Sequence, residues 1–328
     1  MELEQLVKIA PDQDVLLIFA KGKNYITGYE GNIACAVSGG SDSDIMVDIL
    51  TKLDKDKKII YVFFDTGIEY QATKEHLDYL EKRYGIKIIR VKAKKPVPVA
   101  CREYGVPFLS KYVSEMISRL QRHNFQWEDE SYDVLVKKYP MCKVALKWWC
   151  NENGKNSRFN ISANKLLKEY IIANPPDFKI SMKCCTYGKK LPSKEFCKVN
   201  DIGLLCLGIR KSEGGIRSTT YKTCFSHSYE NSKGHNEWLP IFWLNDNQKE
   251  EYKLMNDVDY SDCYEVYGLK RTGCFGCPFG SGFEDELASV KEYEPKLYNA
   301  ANKIFGKSYE YTRAYRRFKG DCDANNGM

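Results

Sequence analysis

The sequence predicts an α/β protein whose parallel sheet is covered by helices on both faces, and three features carry this prediction. Short apolar runs recur at Ile33–Val37, Ile59–Phe64 and Ile86–Val91. Stretches with helical periodicity lie between them. The first two runs end at turn signals, Ser38-Gly39-Gly40 and Asp65-Thr66-Gly67. Apolar strands that alternate with helices are typical of a parallel, doubly wound sheet.

The elements follow in order along the chain. The first strand, Ile33–Val37, leads through the glycine turn into a helix over Asp44–Leu53, and the second strand, Ile59–Phe64, leads into a helix over Tyr70–Tyr84. Gly85 is a natural helix stop. Later segments with helical or strand character are Lys111–Gln121, Tyr132–Trp149 and Ser162–Ile172 (helical) and Ile202–Ile209 (strand).

These patterns predict four regions. Residues 1–100 form the first half of the sheet with the glycine turn, and residues 101–180 form a helical insertion rich in lysine and aromatic residues. Residues 181–280 return the chain to the sheet and carry dense cysteines, and residues 281–328 form a basic, aromatic C-terminal region. We find no internal repeat and no low-complexity linker.

The composition excludes several classes of protein. With 43% hydrophobic and 29% charged residues, the chain can bury a substantial core and is not disordered. The longest apolar runs, Val15–Ala20 and Ile59–Phe64, are far shorter than the ~18 residues of a membrane-spanning helix. Because the first residues are acidic and resemble no secretory signal, we expect a cytoplasmic protein with no membrane partner. A net charge of +6 permits anionic partners.

The segment Ser38–Ser43 is the first candidate site. It joins a strand to a helix, where glycines allow a tight turn and N–H groups at the helix start can bind phosphate oxygens. Its serine hydroxyls add donors, and Asp42 is positioned to hold a divalent cation that bridges phosphates. The alternative is that the glycines serve only tight packing.

The cysteines form the second candidate site. Thirteen cysteines are many for a chain in a reducing compartment, where metal binding is the first explanation to consider. Two dense sites stand out, Cys184-Cys185 and the Cys274–Cys277 pair. Four thiolates suit zinc or an iron–sulfur cluster, and adjacent cysteines favour the larger cluster. Buried structural thiols remain the alternative.

Four motifs together resemble one known family. Ser38–Ser43 matches the Ser-Gly-Gly-x-Asp-Ser loop of PP-loop ATP pyrophosphatases, although Ser41 stands where many relatives carry lysine. Asp65–Glu69 resembles the Asp-Thr-Gly-x-Glu motif of the phosphoadenylylsulfate (PAPS) reductase family, and Gly208–Arg217 resembles its arginine segment. The two cysteine pairs resemble the ligands of 4Fe-4S adenylylsulfate (APS) reductases. Without the resemblance, Asp65 and Thr66 are a helix cap, and Arg210 pairs with Glu213.

The resemblance implies an adenine nucleotide alpha hydrolase-like fold and a set of site residues. It assigns catalytic roles to Asp42, Lys189 and Arg210. It places ATP, or APS or PAPS, and Mg²⁺ at Ser38, Gly39, Gly40, Ser41, Ser43, Asp65, Thr66, Gly67 and Arg217. It also places a 4Fe-4S cluster on Cys184, Cys185, Cys274 and Cys277.

The C-terminal region decides between two uses of this scaffold. Sulfonucleotide reductases carry a cysteine nucleophile in a Glu-Cys-Gly-Ile/Leu-His tail, whereas Cys322 lies between two aspartates that would raise the pKa of its thiol. The chain therefore resembles PP-loop enzymes that split ATP into AMP and pyrophosphate to activate an acceptor for sulfur transfer. The alternatives are an APS/PAPS reductase that releases sulfite and a non-catalytic nucleotide-binding subunit of a larger complex.

Residues 306–320 interleave five basic residues with four aromatic ones, which suits a nucleic-acid substrate. The alternative is an amphipathic helix whose aromatic side chains pack on the domain. We also expect a sulfur-donor or complex partner protein. The sequence does not name the acceptor or the donor.

Overall fold

The structure is a computed structural model, and it describes residue 5 and residues 7–214, 220–231, 233–280 and 282–325. The side chains of residues 230, 231 and 321–325 lie outside this description. Within the described residues, no helix is long and apolar enough to span a membrane.

The regular elements alternate as predicted in the first third of the chain. The strands are β1 (Asn32–Val37), β2 (Ile59–Asp65), β3 (Ile88–Lys92), β4 (Ile202–Leu207), β5 (Phe225–Ser226) and β6 (Asn236–Trp238). The helices are α1 (Gln13–Thr27), α2 (Ser41–Leu53), α3 (Gln71–Tyr84), α4 (Val97–Tyr104), α5 (Lys111–Arg122), α6 (Tyr132–Lys138), α7 (Lys143–Trp149), α8 (Leu167–Ala173), α9 (Lys183–Cys185), α10 (Leu191–Val199), α11 (Ser228–Asn231), α12 (Asp246–Asn256), α13 (Asp262–Glu265), α14 (Phe283–Tyr293) and α15 (Pro295–Asn325). Short 3₁₀ turns lie at Pro140–Cys142, Ile161–Ala163 and Lys211–Glu213, and a π-helical turn lies at Thr186–Lys190.

The described strands form one six-stranded sheet in the order β3-β2-β1-β4-β6-β5. β1 lies between β2 and β4 and is parallel to both, with Cys35 opposite Tyr61 on one side and Cys206 on the other. The predicted α/β class with a doubly wound sheet is confirmed. One detail differs from a fully parallel sheet, because the edge strand β5 pairs with β6 in antiparallel fashion.

Two helical predictions differ from the structure in extent. The segment predicted as one helix over Tyr132–Trp149 is two helices with a 3₁₀ turn between them. The break falls at Pro140, which has no N–H for a helical hydrogen bond and clashes with the preceding turn. Gly85 ends α3 in the left-handed conformation with φ 59°, as predicted.

The chain divides into two compact units. The first contains residues 1–94 and 188–275, and the second contains residues 95–187 and 276–328. The first unit holds the sheet, and its core lies between the sheet and flanking helices around fully buried residues such as Phe19, Ile49 and Leu204. The segment 101–180 predicted as an insertion shares the second unit with the C-terminal region.

Aromatic side chains explain why the C-terminal helix belongs to the second unit. Tyr315 is buried in the same apolar cluster as Trp148 and Ile171, and Tyr311 and Phe318 pack against this cluster. Tyr309 is also buried, so these rings contribute to the unit's core. This packing favours the alternative of an amphipathic helix for residues 306–320, because buried rings are not available for stacking on bases.

Candidate nucleotide site and thiol cluster

The glycine-rich segment Ser38–Ser43 lies at the carboxyl end of β1 and leads directly into α2. It adjoins the end of β4, because β1 and β4 are neighbours in the sheet. The chain builds the sheet from β1 through β2 to β3 on one side and resumes with β4 on the other. Such a switch in strand order opens the crevice where open α/β sheets bind ligands.

The backbone of this loop has the form expected for an anion site. Gly39 has φ +66°, and a Cβ at this position would lie 2.8 Å from the Thr73 methyl group of α3, so both conformation and space require glycine. α2 begins at Ser41 after Gly40, which has no side chain to cap the helix, and the Tyr264 hydroxyl forms a hydrogen bond with the Ser41 backbone. The N–H groups at a helix start carry partial positive charge and bind phosphate oxygens readily.

The serine hydroxyls have different partners within the loop. Ser43 Oγ accepts a hydrogen bond from the Ser38 N–H at 2.9 Å, which fastens the start of the loop to the helix. Ser38 Oγ accepts one from the Gly40 N–H at 3.3 Å. Ser41 is buried, and its hydroxyl accepts a hydrogen bond from a lysine that lies far away in the chain.

Two cations converge on Asp42. Arg210 Nε lies 2.8 Å from Asp42 Oδ1, and Lys249 Nζ lies 3.1 Å from the same oxygen. Lys249 Nζ is also 2.9 Å from Ser41 Oγ. The Asp42 carboxylate thus holds two positive side chains beside the phosphate loop, and both Arg210 and Lys249 are largely buried.

Arg210 occupies the place that the family motif predicts. Its guanidinium also donates to Asp246 at 2.8 Å and to Ser212 at 2.8 Å. Burial alone would lower the pKa of Arg210, but the charge of Asp42 and the bond with Asp246 raise it above its usual value. Glu213 accepts a hydrogen bond from the Arg210 backbone N–H. The guanidinium itself is held by Asp42 and Asp246.

Gly208 lets the end of β4 approach the loop closely. A Cβ at this position would lie 3.2 Å from Ser43 Cα and 3.3 Å from both the Asp42 carbonyl oxygen and the Ser43 nitrogen. These are backbone atoms of the first turn of α2. The glycine therefore determines how near Arg210 comes to the loop.

The sequence did not identify Lys249 as a site residue. It lies one turn into α12, whose start is fixed by a capping box in which Asn245 and Gln248 accept each other's backbone N–H groups at 3.0 and 3.1 Å. The absence of lysine at position 41 indicated that a cation was missing from the loop. With fifty basic residues in the chain, nothing in the sequence indicated which one replaces it.

Asp65, Thr66 and Gly67 lie at the end of β2, beside β1 in the sheet, as predicted. Asp65 Oδ1 accepts from the Gly67 N–H at 2.8 Å, and the Glu69 carboxylate accepts from the Thr66 hydroxyl at 2.6 Å. Gly67 has φ +79°. The motif builds a turn, and α3 starts only after Tyr70, so the alternative interpretation of Asp65 and Thr66 as a helix cap is wrong.

A buried carboxyl group and an imidazole ring lie in contact behind the loop. Asp44 is fully buried in α2, and His76 Nε2 of α3 lies 3.0 Å from its carboxylate. Burial raises the pKa of Asp44, and the hydrogen bond and charge of His76 oppose this rise without cancelling it. The pair couples the first turn of α2 to α3.

Thiols gather within the second unit. Cys184 is buried and forms hydrogen bonds with Cys101 and Cys185, and Cys277 lies within electrostatic range. The bond with Cys101 raises the pKa of the Cys184 thiol, the bond with Cys185 lowers it, and burial adds to a net rise. Cys101 lies on α4, which packs against α9. No sequence motif distinguishes Cys101 from the other cysteines.

The chemistry of these cysteine side chains fits an iron–sulfur cluster, because such clusters are held by cysteine thiolates. Cys274, the remaining predicted ligand, belongs to the first unit and precedes Cys277 by three residues in the chain. Among the described residues, no group of three or more His, Cys, Asp or Glu side chains has the arrangement of a metal site. Cluster binding therefore requires these thiols to lose protons and exchange hydrogen bonds for metal bonds.

Comparison with known proteins identifies the family. The family model described as the phosphoadenosine phosphosulfate reductase domain matches residues 32–279, which include the phosphate loop, Arg210 and both cysteine pairs. The chain belongs to this family. Its sheet and loop fit the PP-loop, adenine nucleotide alpha hydrolase-like superfamily, as the Ser38–Ser43 motif predicted, whereas the cysteine pattern stays a prediction.

Curated relatives of this PAPS reductase family chain include proteins of unknown role. An uncharacterized protein of Methanocaldococcus jannaschii is 26% identical over 276 residues, or 84% of this chain and 42% of its own length. A second from the same organism is 24% identical over 85% of this chain and 47% of its own length. The chain thus spans less than half the length of these relatives. The adenosine 5'-phosphosulfate reductase of Staphylococcus epidermidis is 32% identical over 68 residues, 21% of this chain and 26% of that enzyme.

Solved structures with similar backbones include a PAPS reductase of Candida auris in a phosphate complex. It has a TM-score of 0.44 at 14% identity and covers 78% of this chain and 88% of its own. The U34-tRNA thiolase NcsA of Methanococcus maripaludis with its [4Fe-4S] cluster has a TM-score of 0.39 at 13% identity, covering 93% and 80%. These scores are too low to carry an argument about function.

Two predicted site residues, Lys189 and Arg217, are not placed at the phosphate loop, and neither is Cys322. Lys189 lies half-buried in the π-helical turn Thr186–Lys190, and its role stays a prediction. Arg217 lies outside the described residues. The backbone of Cys322 belongs to α15, and its side chain lies outside the description.

Proposed function

We propose that this PAPS reductase family protein is a PP-loop enzyme that converts ATP to AMP and pyrophosphate and thereby activates an acceptor for sulfur transfer. The observation that carries the proposal is the convergence of Arg210 and Lys249 on a phosphate loop at the switch point of the sheet. A site with helix N–H groups, three serine hydroxyls and two cations is suited to a polyphosphate. The whole protein's substrates and partners are part of this proposal.

The proposed reaction has two steps. An oxygen of the acceptor attacks the α-phosphorus, a new P–O bond forms, the bond between the α-phosphorus and the bridging oxygen breaks, and pyrophosphate leaves with the electron pair. Sulfur from a donor then displaces AMP from the adenylated acceptor. Arg210 and Lys249 would stabilise the charge that develops on the leaving pyrophosphate, and the loop N–H groups would orient it.

Two absent groups complete the proposed site. Mg²⁺, which Asp42 would help to hold, neutralises phosphate charge when bound. A 4Fe-4S cluster on Cys184, Cys185, Cys274 and Cys277 would have a cysteine on every iron and would supply an electron-transfer centre. The sulfur donor is a further partner protein in this proposal, and the acceptor is a nucleic acid.

Anaerobic incubation of the iron-replete protein with ATP and Mg²⁺ tests the reaction. We expect AMP and pyrophosphate in equal amounts, with stimulation by the acceptor nucleic acid. Asp42→Ala should abolish turnover while the iron content stays unchanged. Production of ADP and phosphate, or no nucleotide cleavage with any RNA or DNA tested, would contradict the proposal.

The cluster is tested separately. The anaerobically purified protein should be brown and contain about four iron atoms per chain, as a single 4Fe-4S cluster requires. Cys274→Ser should lose most of the iron. Cys150→Ser is the matched control, because Cys150 is a half-buried thiol of the second unit whose partner is the Glu130 carbonyl oxygen. Stoichiometric zinc without iron would overturn the cluster assignment.

The second candidate function is sulfonucleotide reduction. Two observations favour it, the family model itself and the 32% identity over 68 residues with the Staphylococcus epidermidis reductase. It predicts sulfite release from APS or PAPS in the presence of a thiol reductant. Sulfite without pyrophosphate formation from ATP would make this the function and would identify a thiol of this chain as the nucleophile.

A further inference from the structure

The phosphate loop of this chain lacks a basic residue of its own. Its variable position is Ser41, and within Ser38–Ser43 the one ionisable side chain is the acid Asp42. In the structure an ammonium group nevertheless lies against position 41, because Lys249 Nζ is 2.9 Å from Ser41 Oγ. Lys249 comes from α12, more than 200 residues further along the chain.

The local charges favour an anion at this place. Lys249 and Arg210 share a single oxygen, Asp42 Oδ1, so the three side chains carry one net positive charge. Lys249 is 91% buried, whereas the other acidic partner of Arg210, Asp246, has a side chain that is 80% exposed and largely screened by water. Asp44 also lies within electrostatic range of Lys249, but burial raises the pKa of that carboxyl and so favours its neutral form. A buried lysine that shares its one close carboxylate with an arginine is costly unless another anion completes the site.

A purely structural role explains Lys249 less well. Lys249 and Lys253, one turn further along α12, both lie over the Tyr260 ring. Lys253 pairs with Glu265 at 2.6 Å near the surface, whereas Lys249 is buried against Ser41 Oγ. If Lys249 served stability alone, its buried ion pair with Asp42 would generally be no more stabilising than apolar residues of similar volume. The position of Lys249 against the loop hydroxyl is the feature that needs a ligand.

We propose that Lys249 is the phosphate-binding lysine of this loop, supplied from α12 in place of a lysine at position 41. When a di- or triphosphate binds, the Lys249 ammonium passes from Asp42 to a phosphate oxygen, and Ser41 Oγ guides it there. The inference rests on the proposed function in that it assumes a nucleotide phosphate as the ligand, but it requires no turnover.

Titration with inorganic pyrophosphate tests this role without chemistry. Calorimetry should show that Lys249→Met weakens pyrophosphate binding at least tenfold at low salt, while Lys253→Met, the matched control on the same helix, stays within twofold of the natural chain. Lys249→Arg, which keeps the charge, should recover part of the loss. Thermal unfolding of each variant verifies that it is folded.

A double variant that moves the positive charge from position 249 to position 41 makes the test specific. If the two positions supply the same charge, Ser41→Lys should restore pyrophosphate binding to the Lys249→Met protein to within about threefold of the natural chain. A Lys249→Met protein that binds pyrophosphate as tightly as the natural chain would overturn the inference. So would a folded double variant no better than Lys249→Met, since position 41 would then not be equivalent.

The outcomes separate this inference from the proposed function. Lys249-dependent pyrophosphate binding without any conversion of ATP to AMP would support the lysine assignment and refute the proposed reaction. Conversion of ATP that is unaffected by Lys249→Met would support the reaction and refute the assignment. Absence of pyrophosphate binding by the natural chain would overturn the assignment directly.

Discussion

Replacing Asp42 by asparagine should strengthen the binding of a metal-free phosphate while it abolishes turnover that depends on Mg²⁺. In the structure Asp42 occupies the two cations that a phosphate needs, with contacts of 2.8 Å to Arg210 and 3.1 Å to Lys249. A bound pyrophosphate must therefore compete with this carboxylate. Asparagine keeps the oxygen acceptor and the size but removes the charge.

The magnitude follows from these two contacts. Hydrogen bonds between charged groups are worth about 1 kcal/mol more than those to a neutral acceptor. Two weakened contacts amount to about 2 kcal/mol, and because about 1.4 kcal/mol is tenfold in affinity, the Kd for metal-free pyrophosphate should fall about ten- to thirtyfold. Asp246→Asn should give a smaller gain, because its side chain is 80% exposed and exposed pairs contribute about 0–1 kcal/mol.

The assay is calorimetric titration of pyrophosphate with and without Mg²⁺. For the natural chain we expect Mg²⁺ to strengthen binding, and for Asp42→Asn we expect tighter metal-free binding with little further gain from Mg²⁺. Weaker metal-free binding by a folded Asp42→Asn protein would refute the reasoning, because Asp42 would then help to orient the cations for the ligand instead of competing with it.

Three further predictions concern other parts of the molecule. Gly208→Ala should cost about 1–3 kcal/mol of stability and weaken pyrophosphate binding, because its Cβ would lie 3.2–3.3 Å from backbone atoms of the phosphate loop. Denaturant unfolding measures the stability and calorimetric titration measures the binding. Unchanged binding would show that the loop adjusts freely. Burial raises the pKa of Asp44, so the folded protein keeps this proton to higher pH than the unfolded chain; the associated stability is present below the unfolded pKa of about 4 and is lost as the pH rises through the folded pKa. Asp44→Asn should therefore reduce the fall in Tm as the pH rises above about 4, and an unaltered pH profile would contradict this assignment. In the structure the Cys184 thiol donates to Cys101; once Cys184 is a metal-bound thiolate, the Cys101 thiol would become the donor. Cys101→Ala should therefore leave the iron content near that of the natural chain but lower the reduction potential of the cluster, because this hydrogen bond to the ligand is lost; loss of the iron would instead make Cys101 a ligand.

The fold was predictable from the sequence because its signals are local. β1 and β2 were predicted to within a residue at each end, and Gly85 was identified as a helix stop, since apolar runs, turn residues and left-handed glycines act over a few positions. The prediction of one helix over Tyr132–Trp149 was wrong, because Pro140 interrupts the helix there, and this effect of proline is also local.

The candidate site was predictable only where the motif is contiguous. Ser38–Ser43 and the turn at Asp65–Gly67 are short segments at strand ends, and parallel strands bring their carboxyl ends to one edge of the sheet. Arg210 was found because a family motif marks it. Its partners Asp42 and Asp246 were not predicted as partners, because side-chain pairing across 168 and 36 residues depends on packing.

The sequence by itself determined the α/β class, the family and the position of the phosphate loop, because strand periodicity and short glycine motifs are encoded by neighbouring residues. Only the tertiary structure decided which cations lie beside that loop and which thiol contacts Cys184. Lys249 is one of fifty basic residues and Cys101 one of thirteen cysteines. They differ from the others only in what the folded chain places beside them, and ion pairs and thiol contacts depend on distances in space that no local pattern records.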